Sequence, residues 1–335
     1  MNLFGRNLKK DIAIIAEAGV NHEGNISTAL RMIDFASDAG ADAIKFQIYN
    51  PERFVSRDNK TRFKRIKKFC LKDEDYKVLK KRALKKKINI IATPVTDDKL
   101  NLACSLGPAV KIASGDINFI PLLHKVAKKN KKIIISTGNS NLREISKTYK
   151  YLKNENSNID NKLILLHCVS SYPTPIKESN VKRVEILKQR FKKLIIGYSN
   201  HCLEKEAILA AIVLGAKVVE VHVTLSKKNK KFRDHHLSFD RTQFSDLVKS
   251  IRTINLSLTE QTHNTMKCER SEKKLMRKGL IAKKNLFKNK ILNKNDIDFA
   301  RPASYFSFLD KKKIIGKKIK KNIPKGFLIK KNYFL

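Results

Sequence analysis

The residues of this chain best able to do chemistry are ionisable groups that close short apolar runs. Glu220 and His222 stand two apart at the end of Val218–His222, so in a strand they point to the same side. His201 lies just beyond another run, Leu194–Ser199. Two imidazoles from neighbouring strand ends, with a carboxylate close by, make an open divalent-metal site with positions left for water and substrate. The same residues also read as a plain hydrogen-bonded His–Glu pair. Lys45 and Gln47 share a face of Ala43–Gln47, while Lys111, Ser114, Ser136 and Thr137 gather at the ends of Val110–Ser114 and Ile133–Thr137. A lysine with hydroxyls and Gly115 or Gly138 beside it suits a phosphate or carboxylate, because small residues let backbone N–H groups approach the anion. At an effective dielectric near 20, a lysine about 4 Å from an anionic oxygen contributes roughly 4 kcal/mol before desolvation costs. Two alternatives stay open: one lysine pairs with Glu17 or Glu220, or Lys45 or Lys111 forms a Schiff base, which requires a desolvated amine of depressed pKa and no metal.

Something must hold these groups together. Eight apolar runs recur, Ile12–Glu17, Ala43–Gln47, Asn89–Thr93, Val110–Ser114, Ile133–Thr137, Leu163–His167, Leu194–Ser199 and Val218–His222, and most of the gaps can hold a helix with its turns. That is the pattern of a (β/α)8 TIM barrel, whose chemistry sits at the C-terminal ends of its strands. A buried strand tolerates Glu17, Lys45, Lys111 or Glu220 only where its end opens onto solvent, a ligand or a paired charge. Helices are expected over 26–39, 73–87, 117–129, 203–214 and 243–256, several with caps such as Asn25 or Ser27. The basic, poorly periodic stretch 49–72 reads as a long excursion over the barrel mouth, and Tyr172-Pro173-Thr174-Pro175 as a rigid turn holding Tyr172 there. His235 and His236 follow the last run and offer one further ligand. His167 and Cys168 are adjacent, so on a strand they face opposite ways, and Cys168 is expected to pack.

Composition bounds the rest. The chain has 335 residues, 41% of them hydrophobic, enough for one large and one small core, since a barrel alone takes roughly 250 residues. The division expected is 1–256 barrel, 257–270 polar linker and 271–335 a small β-rich domain with turns at Lys278-Gly279 and Pro324–Gly326. The net charge of +41 invites a nucleic-acid reading. The lysines, however, spread over the polar faces of the expected helices, with no run interleaved with aromatics, so the reading adopted is no nucleic-acid partner. No stretch reads as a membrane span or signal peptide, and five scattered cysteines without a Cys-x-x-Cys pair fit a reducing cytoplasm.

The phrases Ile15-Ala16-Glu17-Ala18-Gly19-Val20-Asn21-His22-Glu23-Gly24, Lys45-Phe46-Gln47, Lys111-Ile112-Ala113-Ser114-Gly115, Ser136-Thr137-Gly138, Tyr172-Pro173-Thr174-Pro175 and Gly197-Tyr198-Ser199-Asn200-His201 together resemble the sialic acid synthase family. The tail resembles that family's antifreeze-like (SAF, β-clip) domain. The resemblance implies condensation of phosphoenolpyruvate with an N-acetylmannosamine-type sugar to a nine-carbon 2-keto acid, with loss of phosphate by C–O cleavage. It implies that Lys111, Ser114 and Ser136 hold the phosphate, that Lys45, Thr93 and Ser199 lie near the carboxylate, and that His201 and His222 bind manganese or magnesium. Glu17, Gln47, Tyr172 and Asp234 would meet the sugar or its attacking water, with Glu220 beside the metal. Arg301 would reach into the barrel of a second copy and bind the acyl group, which implies a domain-swapped homodimer. Ser170 stands where many members carry an asparagine that touches phosphate, Lys278-Gly279 replaces a common Arg-Ser, and Ala303 follows Arg301-Pro302 where glycine is usual.

Overall fold

The computed structural model describes residues 1–230, 232–258 and 264–334. The chain divides into two compact units, Met1–Thr259 and Glu260–Leu335.

In the first unit eight parallel strands close into a barrel: β1 (Ala13–Gly19), β2 (Ala43–Ile48), β3 (Asn89–Pro94), β4 (Ala109–Ile112), β5 (Lys132–Ser136), β6 (Leu163–His167), β7 (Ile195–Asn200) and β8 (Val218–His222). Each lies within two residues of the run read from the sequence. β8 pairs with β1 in the register His222 to Glu17, which seals the barrel. Helices α1 (Ile26–Asp38), α2 (Asp73–Lys85), α3 (Leu100–Leu106), α4 (Ile120–Ala127), α5 (Leu142–Glu155), α6 (Arg183–Arg190), α7 (Glu206–Val213) and α8 (Arg241–Ser257) follow strands β1 to β8 in turn. Asn25 caps α1 by accepting from the Thr28 N–H. α4 is shorter than expected, opening at Ile120 and ending at Ala127, with a 3-10 turn at Ser114–Asp116 ahead of it.

Strand alternation explains why the core carries chemistry at one end only. Inward positions near the strand starts are apolar: Ala13 and Ile15, Ala43, Ile91, Ala109, Ile134, Ile164 and Val218 form one buried cluster. A short hairpin, Asn2–Leu3 with Arg6–Asn7, closes that end by adding Leu3, Phe4 and Leu8 to the cluster, a plug the sequence reading did not foresee. Two residues further along the same faces stand Glu17, Lys45, Thr93, Lys111, Ser136 and Glu220. The outward positions, such as Ile14, Ile44, Ile90 and Ile133, pack under the helices in the larger core. At the end of β1 the register slips between Glu17 and Gly19, a bulge that needs the positive φ of Gly19.

The stretch 49–72 is more ordered than its weak periodicity suggested. It contains two helices, Pro51–Phe54 and Lys60–Phe69, the second capped by Asn59 and anchored through Ile66 and Phe69 on Val20 and Tyr49. Its many exposed lysines and arginines masked the amphipathic pattern.

The second unit pairs β9 (Gly279–Ala282) with β10 (Ile297–Ala300) antiparallel, adds isolated bridges such as Ile281 to Leu328 and Leu286 to Ile323, and buries Leu280, Leu292, Ile319, Ile323 and Ile329. Gly279 therefore opens a strand and makes no turn there, whereas Pro324 accepts from the Phe327 N–H as a turn does. The expected linker is partly helical: α8 runs through Ser257 and a further helix occupies Arg270–Met276, while 259–263 lie outside the described residues.

Candidate active site at the barrel mouth

The C-terminal strand ends enclose a cavity of about 630 Å³. Its floor is a charged lattice. Lys45 and Lys111 are each 3% exposed. The Lys45 ammonium lies 2.7 Å from Glu17 and 3.7 Å from Glu220, and donates to the Thr93 hydroxyl at 3.2 Å. Lys111 donates to Ser136 at 2.7 Å and to the Ile112 carbonyl at 3.1 Å, with Glu220 4.0 Å away. Glu220 accepts from the Ser199 hydroxyl at 3.0 Å. The lysine-to-carboxylate pairing left open by the sequence is thus present, and it involves both lysines without removing either from the cavity.

Burial sorts the proton affinities of these groups. It pushes the Glu17 carboxyl up, against the pull of Lys45. Burial also opposes charge on Glu220, yet Lys111, Lys45 and the Ser199 hydroxyl outweigh it and hold that carboxyl below its usual range. Lys45 feels the same penalty, but Glu17 and Glu220 keep it above its ordinary value. Lys111 has weaker pairing, and burial lowers it. The mouth therefore holds one carboxylic acid inclined to keep a proton and one carboxylate inclined to stay charged.

Above the lysines stand His201, His222 and Tyr172. The imidazole centroids are 5.4 Å apart, and Tyr172 lies over His201 at 4.2 Å. His201 Nδ1 donates to the Val169 carbonyl at 2.6 Å, which turns the lone pair of Nε2 outward from that bond. His222 Nδ1 is buried with no hydrogen-bond partner among the described residues. Burial brings His201 down to about 4 and holds His222 well below the usual histidine range, so both rings are neutral, the ligating form. No group of three or more His, Cys, Asp or Glu side chains arranged to hold a metal ion occurs among the described residues. The pair therefore fits an ion that draws its other ligands from water and substrate, and does not fit a closed structural cage.

Beside Lys111, the Ser114 and Ser170 hydroxyls meet at 2.9 Å. Gly138 makes this possible: a Cβ there would strike Ser170 Oγ and come within 2.8 Å of Cys168 Sγ. Gln47 reaches Glu17 at 3.5 Å, and buried Asp234 pairs with Arg233 at 3.4 Å while burial raises its carboxyl.

Glu17, Lys45, Gln47, Thr93, Lys111, Ser114, Ser136, Tyr172, Ser199, His201, Glu220, His222 and Asp234, named from sequence, all line this one cavity, and Ser170 joins through Ser114. Arg301 belongs to the second unit, where it is exposed and donates to the Met276 carbonyl at 2.6 Å. Thr137 turns away and donates to the Leu166 carbonyl. His235 also lies elsewhere, between Thr224 at 2.8 Å and Glu23 at 3.3 Å, and His236 is exposed. Sequence reasoning missed Asp116, Arg62, Arg65 and Arg233, which also line the cavity. Asp116 ends no apolar run, and the arginines were hidden in basic stretches.

A family model described as the NeuB family matches residues 32–263. The chain belongs to the NeuB family. This NeuB-family chain is 35% identical over 335 residues to an N,N'-diacetyllegionaminic acid synthase of Campylobacter jejuni, with 96% of this chain and 99% of that protein covered. It is 31% identical to a pseudaminic acid synthase of Campylobacter jejuni, with 100% of both chains covered. It also resembles the crystal structure of an N-acetylneuraminic acid (sialic acid) synthetase from Leptospira borgpetersenii, at a TM-score of 0.73 and 35% identity, over 78% of this chain and 90% of that one. Membership makes this chain a synthase-type transferase.

Proposed function

We propose that this NeuB-family enzyme condenses phosphoenolpyruvate with an N-acylated amino sugar of the N-acetylmannosamine type, giving a nine-carbon 2-keto acid of the sialic or legionaminic kind and releasing phosphate. The observation that carries the reading is the pair of buried lysines, Lys45 and Lys111, set among hydroxyls on one cavity floor. A small dianion or trianion with two anionic ends is what such a floor fits. Lys111, Ser136, Ser114 and Ser170 would hold the phosphate, and Lys45, Thr93 and Ser199 the carboxylate. Glu17, Gln47, Tyr172 and Asp234 would face the sugar.

The reaction joins C3 of phosphoenolpyruvate to the aldehyde carbon of the open-chain sugar. The aldehyde oxygen gains negative charge and takes a proton, while C2 becomes cationic. Glu220, held ionised by both lysines, lies where it would stabilise that cation. Glu17, whose burial favours the protonated form, would give its proton to the aldehyde oxygen and, then ionised, take one from the water that adds to C2. Collapse of the tetrahedral centre breaks the C2–O bond, and Lys111, already bonded to Ser136 and of lowered proton affinity, would neutralise the departing phosphate. A manganese or magnesium ion bound by the neutral His201 and His222 would supply Lewis acidity toward the aldehyde oxygen. In the same reading the second unit is an antifreeze-like SAF domain, and Arg301 of a second copy completes the sugar site of a domain-swapped homodimer in the cytoplasm.

The test is phosphate release from phosphoenolpyruvate by purified protein with manganese and N-acetylmannosamine, its 6-phosphate, or its 2,4-diacetamido-6-deoxy relative. Release with one of them supports the reading; silence with all of them overturns it. One observation favours a rival: burial lowers the Lys111 amine, as a Schiff-base aldolase requires. That enzyme would gain mass on Lys45 or Lys111 with pyruvate and borohydride and would ignore chelators.

A further inference from the structure

Of the phrase Ile15 to Gly24, the proposed chemistry draws on Glu17 alone. The remainder, Asn21-His22-Glu23-Gly24, leaves β1 as a turn whose Asn21 and Glu23 both reach the loop after β8 around the short helix Arg233–Leu237. Glu23 takes hold of that loop at two points: one carboxylate oxygen lies 2.6 Å from the Lys230 ammonium and the other 3.3 Å from His235 Nε2. The far side of the His235 ring is already fixed, because Thr224 donates its proton to the Ser226 carbonyl and so accepts from Nδ1 at 2.8 Å. Asn21 donates to the Val223 carbonyl and to the Ser238 hydroxyl, each at 2.9 Å, and that hydroxyl donates in turn to the Asp234 carbonyl at 2.5 Å. Between Lys230 and His235 stand Phe232, Arg233 and Asp234, three residues that line the cavity at the strand ends. Arg233 lies over the Tyr172 ring at 4.7 Å, so two of the proposed sugar contacts, Asp234 and Tyr172, meet on this segment.

The turn is anchored on its own side. His22 is buried and its Nδ1 accepts from the Gly24 N–H at 3.1 Å, while a Cβ at Gly24 would come within 2.3 Å of the Lys68 carbonyl, so the turn seats against the end of the Lys60–Phe69 helix. Glu23 itself has a φ of +51°, a left-handed conformation that glycine or asparagine adopts with less strain. Its side chain, then, is what a glutamate brings to this position. The segment it grips is only partly held by packing. A second cavity, of about 660 Å³, is lined by Glu23, Lys230 and Phe232, and Phe232 lines the first cavity as well, resting on Phe69 at 5.5 Å. We infer that Glu23 is a positioning residue for the acceptor side of the reaction: from the β1 turn it fixes Phe232–Asp234, and through them the place of the sugar. The inference rests on the synthase reading for the sugar at Asp234. The proposed contacts of phosphoenolpyruvate come from β2 to β7 and the loops after them, and do not depend on this hold.

The experiment compares Glu23→Gly with Glu23→Gln, using whichever of the three sugars above supports phosphate release. Glycine removes the carboxylate and suits the φ, so the protein should fold. KM for the sugar is expected to rise about tenfold, the value of a lost hydrogen bond to a charged group, with KM for phosphoenolpyruvate unchanged. Glutamine can keep both contacts, its amide oxygen accepting from Lys230 and its amide N–H donating to His235 Nε2, and should stay within about threefold of the parent. An unchanged sugar KM in Glu23→Gly, a parallel rise in KM for phosphoenolpyruvate, or an equal loss with glutamine, which would mean that the charge acts directly, would each overturn the positioning role. Hydrogen exchange of the parent and of Glu23→Gly reads the hold without turnover. Faster exchange confined to residues 232–238 supports it. Unaltered exchange contradicts it, as does faster exchange throughout the barrel, the mark of a residue that serves general stability. Failure of every sugar to release phosphate in the parent is a different result: it counts against the synthase reading alone, and the exchange measurement still decides whether the hold exists.

Discussion

Lys111 shows how much one side chain is asked to do. It is buried, bonded to Ser136 and to a backbone carbonyl, and 4.0 Å from Glu220. Lys111→Met keeps most of the volume and removes the charge, so the protein should fold while kcat for phosphate release falls by about 10²–10³, the usual cost of losing a preorganised donor at developing charge. An unchanged kcat would remove Lys111 from the phosphate slot. Ser199→Ala deprives Glu220 of its hydroxyl donor at 3.0 Å, and denaturant titration should show a loss of about 1–3 kcal/mol. Asp116 lends itself to a pH test. Burial raises its carboxyl to about 6, so the folded state binds its proton more tightly than the unfolded chain does. The stability this gives is complete below the ordinary carboxylate range and disappears as pH rises through about 6. Asp116→Asn should therefore gain stability relative to the parent as pH climbs from 4 to 7, and a constant difference across that range would refute the assignment.

At the scale of elements, the strands made the site legible. Because inward positions recur every second residue, the sequence alone assigns Glu220 with His222 and Lys45 with Gln47 to one face each, and one cavity does receive them. What stayed hidden followed other rules. The hairpin of Asn2–Leu3 with Arg6–Asn7 is too short to show a period, and of the Lys60–Phe69 helix only Ile66 and Phe69 are buried, so its apolar face is narrow among many basic residues. Asp116 sits on a 3-10 turn after β4, where no alternation aims a side chain. The end of β5 offers a sharper test than any strand interior. Gly138→Ala would drive a methyl into Ser170 Oγ and Cys168 Sγ, so it should destabilise the protein by about 1–3 kcal/mol and raise KM for phosphoenolpyruvate several-fold by displacing the Ser114–Ser170 pair. Unaltered stability and KM would mean that this approach is not needed for the anion slot.

At the scale of the whole molecule, the fold buries ionisable groups that a simpler barrel would avoid. His22, His167 and His201 are each brought down to about 4 by burial, and His222 is held well below the usual histidine range. The unfolded chain protonates these rings near pH 6.5 and the folded one does not, so stability should be full above that value and drain away as pH falls toward 4. Melting temperatures followed from pH 8 to pH 4 check this, and a flat profile between 6.5 and 4.5 would contradict it. The eight-strand barrel could be read from spacing, whereas the role proposed for Arg301 could not, because no periodicity encodes a partner's position. The claim on which the account turns is that Lys45 and Lys111 hold one phosphoenolpyruvate for C–C bond formation followed by C–O cleavage. The most direct measurement uses phosphoenolpyruvate labelled with oxygen-18 at the bridging C–O–P oxygen, a competent acceptor sugar and mass spectrometry of both products. The account predicts the label in the released phosphate and an unlabelled keto oxygen drawn from water; label retained in the keto acid would contradict it.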